Sequence, residues 1–137
     1  MMRFKAGDSA CFSKTLSQTD VYVFAGICGD FNEVHINKVA AQKSRFKKQI
    51  CHGILVSSLI STVIGMYLPG PGSIYLEQDL KFVKPVYIDD TVTAKVTVKD
   101  ICGSKIYTLN TIVTNQNGIC VVTGTAKVLY EGEKDEI

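Results

Sequence analysis

The sequence predicts an α+β fold in which one curled antiparallel sheet covers most sides of a long central helix. The stretch from Ile54 to Met66 is apolar around nearly its whole helical circumference, and such a helix must be surrounded by protein. In the second half of the chain the apolar residues change from a period of about 3.6 to a period of about 2, which is typical of strands. Short turns separate these strands, so sequential neighbours are expected to run antiparallel.

The first half of the chain is expected to hold one strand and two helices. A short strand is predicted within residues 3–14. Ser17 and Asp20 then have the spacing of a capping box, so a short helix should begin there and end at Gly29. Residues 36–50 are polar and predict no regular element, and the central helix ends at a turn rich in proline and glycine.

Four strands are predicted in the second half, each with an alternating apolar row. The last strand runs from Ile119 to Tyr130, and Asn117-Gly118 before it predicts a type I′ hairpin turn. We expect each row to occupy one strand face, with the first row pointing at the core. The first three rows are Ile74, Leu76, Leu80 and Phe82; Val92, Ala94, Val96 and Val98; and Tyr107, Leu109, Thr111 and Val113.

Composition limits the classes of protein to consider. A chain of 137 residues suits a single domain spanning residues 1–137. A formal net charge of +2 is too small to indicate a nucleic-acid partner. The 13 residues from Ile54 to Met66 fall short of the roughly 20 that cross a bilayer, so no membrane partner is expected. The acidic end of the chain, residues 131–137, is expected to be solvated.

The five cysteines are scattered without C-x-x-C spacing, and no signal peptide is expected. This pattern predicts free thiols in a reducing, cytoplasmic location, most of them as small buried residues. A zinc site would need clustered cysteine and histidine ligands, which the spacing does not indicate. We therefore expect neither a metal nor a cofactor.

Asp30 and His35 lie five residues apart in a turn that follows the first helix. A carboxylate and an imidazole at this spacing can converge on one water, where one group removes a proton and the other orients the water or returns a proton. The same spacing fits a structural pair, in which Asp30 caps the turn and His35 bonds a backbone carbonyl. Spacing alone favours the structural interpretation.

Gly53 stands where the central helix begins. Backbone N–H groups in the first turn of a helix have no intrahelical partner and carry partial positive charge. A glycine at this position allows a carbonyl oxygen to approach closely. Gly53 could therefore bind the oxygen of a thioester enolate. Its position alone favours a plain helix start.

Two further polar features have open interpretations. Gln78 shares a strand face with apolar residues, so its amide needs buried partners; it could hold the helix start or the Asp30 turn, or satisfy a local backbone group. A basic cluster at residues 43–48 could attract the phosphates of a nucleotide-bearing substrate or simply form a solvated face. This basic cluster consists of Lys43, Arg45, Lys47 and Lys48.

Residues 24–35, Phe-Ala-Gly-Ile-Cys-Gly-Asp-Phe-Asn-Glu-Val-His, resemble the hydratase-2 motif of MaoC-like proteins, the (R)-specific enoyl-CoA hydratases. The likeness continues through residues 52–53 and the following helix, through residues 68–78 and through residues 82–86, and covers about residues 17–128. The resemblance implies a hot-dog fold, usually as a homodimer whose two sheets join edge to edge. It also implies a trans-2-enoyl thioester substrate carried on CoA or acyl carrier protein.

The resemblance also implies roles for individual residues. By position, Asp30 and His35 match the catalytic pair, and Gly53 matches the residue whose N–H binds the thioester carbonyl. Asn32 matches a residue that shapes the catalytic loop. Ser61 matches a serine on the central helix near the pair.

One position departs from the family pattern. Where the family usually has proline after the asparagine, this chain has Glu33. Proline would rigidify the turn, so Glu33 either loosens it or adds a charge near its mouth. The departure bears on rate and substrate preference more than on reaction class.

The activity implied by the resemblance is that of a hydro-lyase in fatty-acid metabolism, which hydrates trans-2-enoyl thioesters reversibly to (R)-3-hydroxyacyl thioesters. The alternatives are an acyl-CoA thioesterase on the same fold and a non-catalytic subunit that binds acyl carriers. The motif argues against both, because a thioesterase needs its acid or base at the carbonyl carbon and an inactive copy need not keep every site residue. Ile60 and Ile64 are expected to line the acyl pocket, and their bulk favours short chains.

Overall fold

The computed structural model describes residues 3–132, and the predicted acidic tail from residue 133 onward lies outside the described residues. One strand and four helices come first, followed by five strands. They are β1 (Ser9–Thr15), α1 (Gln18–Cys28), α2 (Glu33–Ile36), α3 (Lys38–Lys43), α4 (Gly53–Met66), β2 (Ile74–Gln78), β3 (Lys81–Phe82), β4 (Thr91–Cys102), β5 (Ile106–Thr114) and β6 (Cys120–Leu129).

The strands form one antiparallel sheet in the order β1-β4-β5-β6-β2, with β3 also paired to β6. The central helix α4 packs against β1, β4, β5 and β6, so the predicted arrangement of a curled sheet around one long helix is confirmed. Each large aliphatic side chain buried in this way stabilises the fold by about 1.5–3 kcal/mol relative to an exposed one. The aliphatic side chains that α4 buries are Val56, Leu59, Ile60, Val63 and Ile64.

Helix α1 begins and ends as its sequence predicts. The Ser17 hydroxyl accepts a hydrogen bond from the Asp20 N–H at 3.1 Å, and the Asp20 carboxylate accepts one from the Ser17 N–H at 2.9 Å. These two bonds complete the capping box. At the other end Gly29 has a φ of +80°, a left-handed conformation that glycine adopts without strain. The end of α1 therefore fixes the direction in which the chain continues to Asp30.

The prediction that residues 36–50 lack regular structure is wrong, because two short helices, α2 and α3, lie in or next to this segment. An asparagine side chain caps each of them: Asn32 accepts from the Val34 N–H at 3.3 Å, and Asn37 accepts from the Ala40 N–H at 3.0 Å. Each helix is too short to produce a recognisable apolar period. The two asparagine caps were the available signal.

The first predicted strand of the second half is two strands, β2 and β3. Most of its apolar row does not face the core; the exception is Leu80, which lies between the two strands and packs against the core. Ile74, Leu76 and Phe82 are 55%, 50% and 53% exposed. The physical reason is position: β2 lies at the sheet edge beyond β6, away from the strands that α4 covers best. The rows predicted for β4 and β5, by contrast, are buried, including Thr111 at 3% exposure.

The turn between β5 and β6 is wider than the predicted type I′ turn. Asn115 donates its N–H to the Ile119 carbonyl at 2.9 Å, and Gly118 has a φ of +74°. A type I′ turn needs positive φ at both central residues, and Asn117 does not have it. The Asn115 side chain accepts from the N–H groups of Asn117 and Ile119, at 2.9 and 3.1 Å, and this stabilises the wider loop.

All five cysteines are free thiols, as predicted, but only Cys51 is fully buried. Burial raises the pKa of the Cys51 thiol to about 12, so it remains protonated. Cys11, Cys28 and Cys102 are exposed, which corrects the expectation that most cysteines are buried. Among residues 3–132, no helix is both long enough and apolar enough to cross a membrane.

Candidate active site

The turn after α1 holds Asp30 with one carboxylate oxygen committed and the other open. The Asn32 N–H donates to Asp30 Oδ1 at 3.1 Å, so the carboxylate does cap its own turn. Asp30 Oδ2 lies 4.0 Å from His52 Nε2, and the Asp30 side chain remains 52% exposed. The structural role considered from the sequence is therefore real, and it leaves an oxygen free for a ligand.

His35 lies on α2 and is buried, with an exposed fraction of 8%. Its Nδ1 is 2.7 Å from the Ile50 carbonyl oxygen. A carbonyl oxygen can only accept, so Nδ1 must carry a proton, and Nε2 of the neutral ring has a free lone pair. The backbone bond predicted by the structural interpretation thus prepares the opposite nitrogen to accept a proton.

The surroundings of His35 favour its neutral form. Burial lowers the pKa of His35 below the ordinary value of 6.5, and the neighbouring His52 lowers it further. The hydrogen bond to the Ile50 carbonyl and the charge of Asp30 act in the opposite direction on this pKa. The ring is therefore neutral near pH 7, and the Ile50 and Asp30 contacts would stabilise the positive charge that appears when Nε2 takes a proton.

The fold brings Asp30 and His35 together, and it adds His52 to them. Within residues 3–132 these three side chains form a group whose donor atoms, one from each residue, all lie within 4.8 Å of one another. One water molecule can span such a gap, because it hydrogen-bonds at about 2.7–3.0 Å on each side. The predicted convergence of carboxylate and imidazole on one small molecule is thus geometrically available.

His52 has no role in the predictions made from the sequence. Its ring is 3% exposed, stacks on the His35 ring at a centroid distance of 3.8 Å and lies 26° from parallel. Its Nε2 is 2.9 Å from the Asp30 carbonyl oxygen, and the Phe24 ring packs edge-on against it at 5.0 Å. The available signal was its place directly before Gly53 as one of only two histidines in the chain.

The same three side chains are the types that bind transition metals. Two imidazole nitrogens, His35 Nδ1 and His52 Nε2, are already bonded to backbone carbonyls. Of the remaining two, His52 Nδ1 is buried without a hydrogen-bond partner. The expectation that the protein uses no metal or cofactor stays a prediction.

Gly53 is the first residue of α4, and no side chain caps this helix start. First-turn N–H groups that lack a capping side chain can bind an oxygen atom of a ligand. A Cβ atom at residue 53 would lie 2.6 Å from Cδ1 of Phe82, so the Phe82 ring packs directly against the glycine backbone. A glycine is therefore needed at residue 53 because a neighbouring group lies close to its backbone. In this structure that group is the Phe82 ring.

A cleft of about 450 Å³ opens beside His35 and Gly53. Its walls are mostly apolar, and the cations of Arg45 and Lys84 also line it. Ile60 and Ile64, which were expected to line an acyl pocket, are instead fully buried in the core. The aliphatic and aromatic residues that line this cleft include Ile54, Val56, Phe82, Val83 and Val86.

The chain matches the family model for the MaoC like domain over residues 6–118. The chain belongs to the MaoC-like family. It is 47% identical over 130 residues to an (R)-specific enoyl-CoA hydratase of Rhodospirillum rubrum, covering 94% of this chain and 84% of that one. It is 42% identical over 125 residues to an (R)-specific enoyl-CoA hydratase of Aeromonas caviae, covering 90% of this chain and 93% of that one.

The solved structure of an (R)-hydratase from A. caviae, described as involved in PHA biosynthesis, superposes on this MaoC-like chain with a TM-score of 0.92. The match has 40% sequence identity and covers 95% of this chain and 99% of that one. The sheet and its central helix are therefore the hot-dog fold, as the resemblance implied.

Within this MaoC-like fold, Asn32 shapes the loop by two contacts. Its N–H binds the Asp30 carboxylate, and its side chain caps α2. Glu33 is the first residue of α2. Proline is favoured at this position and an acidic side chain complements the helix dipole there, so either residue suits the turn. Glu33 is thus compatible with the first position of α2.

The other two predicted residues of the MaoC-like site are Ser61 and Gln78. Ser61 is exposed on α4, about 12 Å along the helix axis from Gly53, and its place near the catalytic pair remains a prediction. Gln78 donates to the Asp79 carbonyl at 2.7 Å and to the Thr111 hydroxyl at 3.0 Å, and it accepts from the Tyr75 hydroxyl. Its contacts thus stabilise the sheet, which is the local role among those considered.

The basic cluster of the MaoC-like chain divides between two places. Arg45 lines the cleft beside His35. Lys47 and Lys48 line a second, more polar depression of about 300 Å³, where Lys48 Nζ lies 5.0 Å from the centroid of the Tyr87 ring. Of the four residues, Arg45 lines the cleft of the candidate active site, and Lys43 lines neither depression.

Proposed function

We propose that the protein is a hydro-lyase that reversibly hydrates trans-2-enoyl thioesters to (R)-3-hydroxyacyl thioesters. The observation that carries this proposal is the pairing of the half-exposed carboxylate of Asp30 with a neutral imidazole, His35, whose Nε2 is free and which lines a cleft. The names of the two relatives, (R)-specific enoyl-CoA hydratases, support the same substrate class and stereochemistry.

In the proposed mechanism, a water molecule lies between Asp30 and His35 and donates a hydrogen bond to each. As its oxygen attacks the β-carbon, His35 Nε2 takes one proton and the electrons of the double bond move toward the thioester carbonyl. The imidazolium is stabilised by the Asp30 carboxylate and by the Ile50 carbonyl, the two contacts that favour its charged form. Return of that proton to the α-carbon completes the hydration and restores the neutral ring.

The negative charge on the thioester oxygen needs a donor during this step. The Gly53 N–H belongs to the first turn of α4, where no side chain cap competes for it and the helix dipole favours negative charge. Both Gly53 and His35 line the same cleft, which supports one substrate reaching both. Gly53 is therefore the proposed oxyanion donor.

The cleft suits a thioester with an apolar acyl group and an anionic carrier. Its apolar residues accommodate the acyl chain, while Arg45 and Lys84 can bind phosphate groups. CoA and the phosphopantetheine arm of an acyl carrier protein both carry such phosphates. The cytoplasmic location inferred from five free thiols is compatible with either carrier.

The protein is further proposed to act as a homodimer. The edge strand β2 leaves its outer backbone groups without a strand partner in the described chain and exposes Ile74 and Leu76. Such an apolar edge is a site for pairing with another chain. Pairing of two copies through β2 would extend the sheet and cover these side chains.

The test of the reaction class uses crotonyl-CoA and follows loss of the conjugated enoyl-thioester absorbance. Butyryl-CoA, which is saturated, is assayed in parallel for release of free CoA thiol. The proposal predicts absorbance loss with crotonyl-CoA and no thiol release from butyryl-CoA. Thiol release would indicate a thioesterase, and binding without either change would indicate a non-catalytic subunit.

A further inference from the structure

His52 touches both Asp30 and His35. Its Nε2 is bonded to the backbone carbonyl of Asp30 at 2.9 Å. Its ring face lies on the ring of His35, with 3.8 Å between centroids. A change in the position of His52 would therefore move the carboxylate and the imidazole relative to each other.

Packing alone does not explain a histidine at this position. The bond to a carbonyl oxygen requires a proton on Nε2, which in the neutral ring leaves Nδ1 as an acceptor. This Nδ1 is buried with no hydrogen-bond partner. Burying an unsatisfied polar atom is unfavourable, so an apolar ring of similar size would fill the space at lower cost. The Nε2–H bond to Asp30 is what an apolar ring would lose.

We propose that His52 is a positioning residue that sets the spacing between Asp30 and His35. The Nε2–H bond holds the main chain of Asp30, and the stacked face sets the plane of the His35 ring. In this proposal His52 acts through Asp30 and His35 and takes no proton itself. This inference rests on the proposed hydration function, because spacing matters only if the pair acts on one water.

The two contacts can be separated by substitution. His52→Phe keeps an aromatic face against His35 and removes the donor to Asp30, whereas His52→Gln keeps a donor of similar reach and removes the face. His52→Ala removes both. Phe24→Leu is the matched control, because it alters the packing on the far side of His52 and leaves both the Nε2–H bond to Asp30 and the face stacked on His35 in place.

Steady-state kinetics with crotonyl-CoA tests the proposal. A displacement of about 1 Å at a reacting group costs roughly 100-fold in rate, so His52→Ala should lower kcat by about that factor while KM changes by less than about threefold. His52→Phe and His52→Gln should each retain part of the rate, and Phe24→Leu should keep a kcat near that of the wild type even if its melting temperature falls.

Failure of the inference and failure of the proposed function give different results. If the wild type hydrates crotonyl-CoA and the His52 variants keep its kcat while melting at a lower temperature, His52 is merely structural and the inference is overturned. If the wild type shows no hydration, the proposed function falls and the inference falls with it.

A second measurement needs no variant to fold. Nitrogen-15 spectra of the wild-type imidazoles should give opposite neutral tautomers, with the proton on Nε2 in His52 and on Nδ1 in His35. The chain has only these two histidines, so the spectrum contains only two rings. A neutral His52 with its proton on Nδ1 would lack the bond to Asp30 and would overturn the proposal.

Discussion

At the scale of single residues, Asp30 and His35 each do two things. One carboxylate oxygen of Asp30 caps the turn, and one nitrogen of His35 bonds the Ile50 carbonyl. These structural bonds fix the side chains and leave one oxygen and one nitrogen for chemistry. The structural and catalytic interpretations that the sequence left open are therefore compatible, since the structural contacts also position the reactive atoms.

The first prediction concerns removal of either reactive group. Asp30→Asn and His35→Ala should each lower kcat on crotonyl-CoA by about two to four orders of magnitude, the usual contribution of a general acid or base. Asp100→Asn is the control for the carboxylate change, because Asp100 also accepts a bond from a neighbouring backbone N–H but lies on β4. Activity close to that of the wild type in both site variants would refute the assignment.

A second residue-scale prediction concerns pH. His35 acts as a base only when neutral, and burial holds its pKa below 6.5, so kcat/KM should stay constant near neutrality and fall only as pH drops through that lowered pKa. A pH profile from about 5 to 8 measures the midpoint. The Asp30 carboxylate favours the imidazolium form of His35. In Asp30→Asn this charge is lost, so the pH midpoint of the residual activity should be lower still. A wild-type midpoint at or above 6.5 is incompatible with this role.

At the scale of elements, the start of α4 combines helix geometry with a close side-chain contact. Gly53 offers an uncapped first-turn N–H, and the Phe82 ring occupies the space where a Cβ would project. The ring is half exposed, so it can move when a side chain is added. Gly53 and Phe82 both line the cleft, so a displaced Phe82 ring would move either into the cleft or away from it.

The prediction for this element is that Gly53→Ala lowers kcat/KM on crotonyl-CoA by about tenfold or more. Alanine keeps the backbone N–H, but its Cβ displaces the Phe82 ring, and the ring then disturbs access to that N–H. An oxyanion donor is worth about 100-fold or more, so partial loss of access is enough for this effect. Gly65→Ala on the same helix is the control, because a Cβ there meets nothing within 4 Å. It should leave activity unchanged and stabilise the protein by about 0.5–1 kcal/mol.

If steric displacement of Phe82 causes the loss, the double variant Gly53→Ala with Phe82→Ala should recover activity relative to Gly53→Ala. Failure of the second substitution to restore any activity would place the defect in the backbone of the helix start rather than in the ring.

Some elements could be predicted from the sequence because one local interaction decides each of them. The capping box at Ser17 and the left-handed Gly29 define α1, and the all-round apolar stretch defines α4. Other elements depend on what lies next to them in space. The exposure of Leu76 follows from the edge position of β2, and that position is a property of strand order which alternation alone does not contain.

The candidate site was predictable to a similar extent. Asp30, His35 and Gly53 stand at recognisable positions, in a turn and at a helix start. The role of His52 was not, because its contacts with Asp30 and His35 join the chain across 22 and 17 residues. Side-chain stacking between distant segments leaves no periodic trace in a sequence.

At the scale of the whole molecule, the open edge of the sheet bears on assembly. Strand β2 is the edge next to β6, and its apolar residues are about half exposed in a single chain. Leu76→Lys should therefore shift the protein from dimer to monomer in analytical ultracentrifugation, because the added charge would be buried between two edges. Ile119→Lys is the control, since Ile119 is similarly exposed, at 48%, in the β5–β6 loop. A wild type that sediments as a monomer would contradict the proposed assembly.

The proposed function is one reaction, the addition of water to an enoyl thioester with (R) stereochemistry. The most direct measurement incubates the protein with crotonyl-CoA and couples the product to a 3-hydroxyacyl-CoA dehydrogenase specific for either the (R) or the (S) isomer. The predicted result is NADH formation with the (R)-specific enzyme alone, and its loss in Asp30→Asn. Formation of NADH with the (S)-specific enzyme, or with neither enzyme, would contradict the proposed (R)-specific hydration.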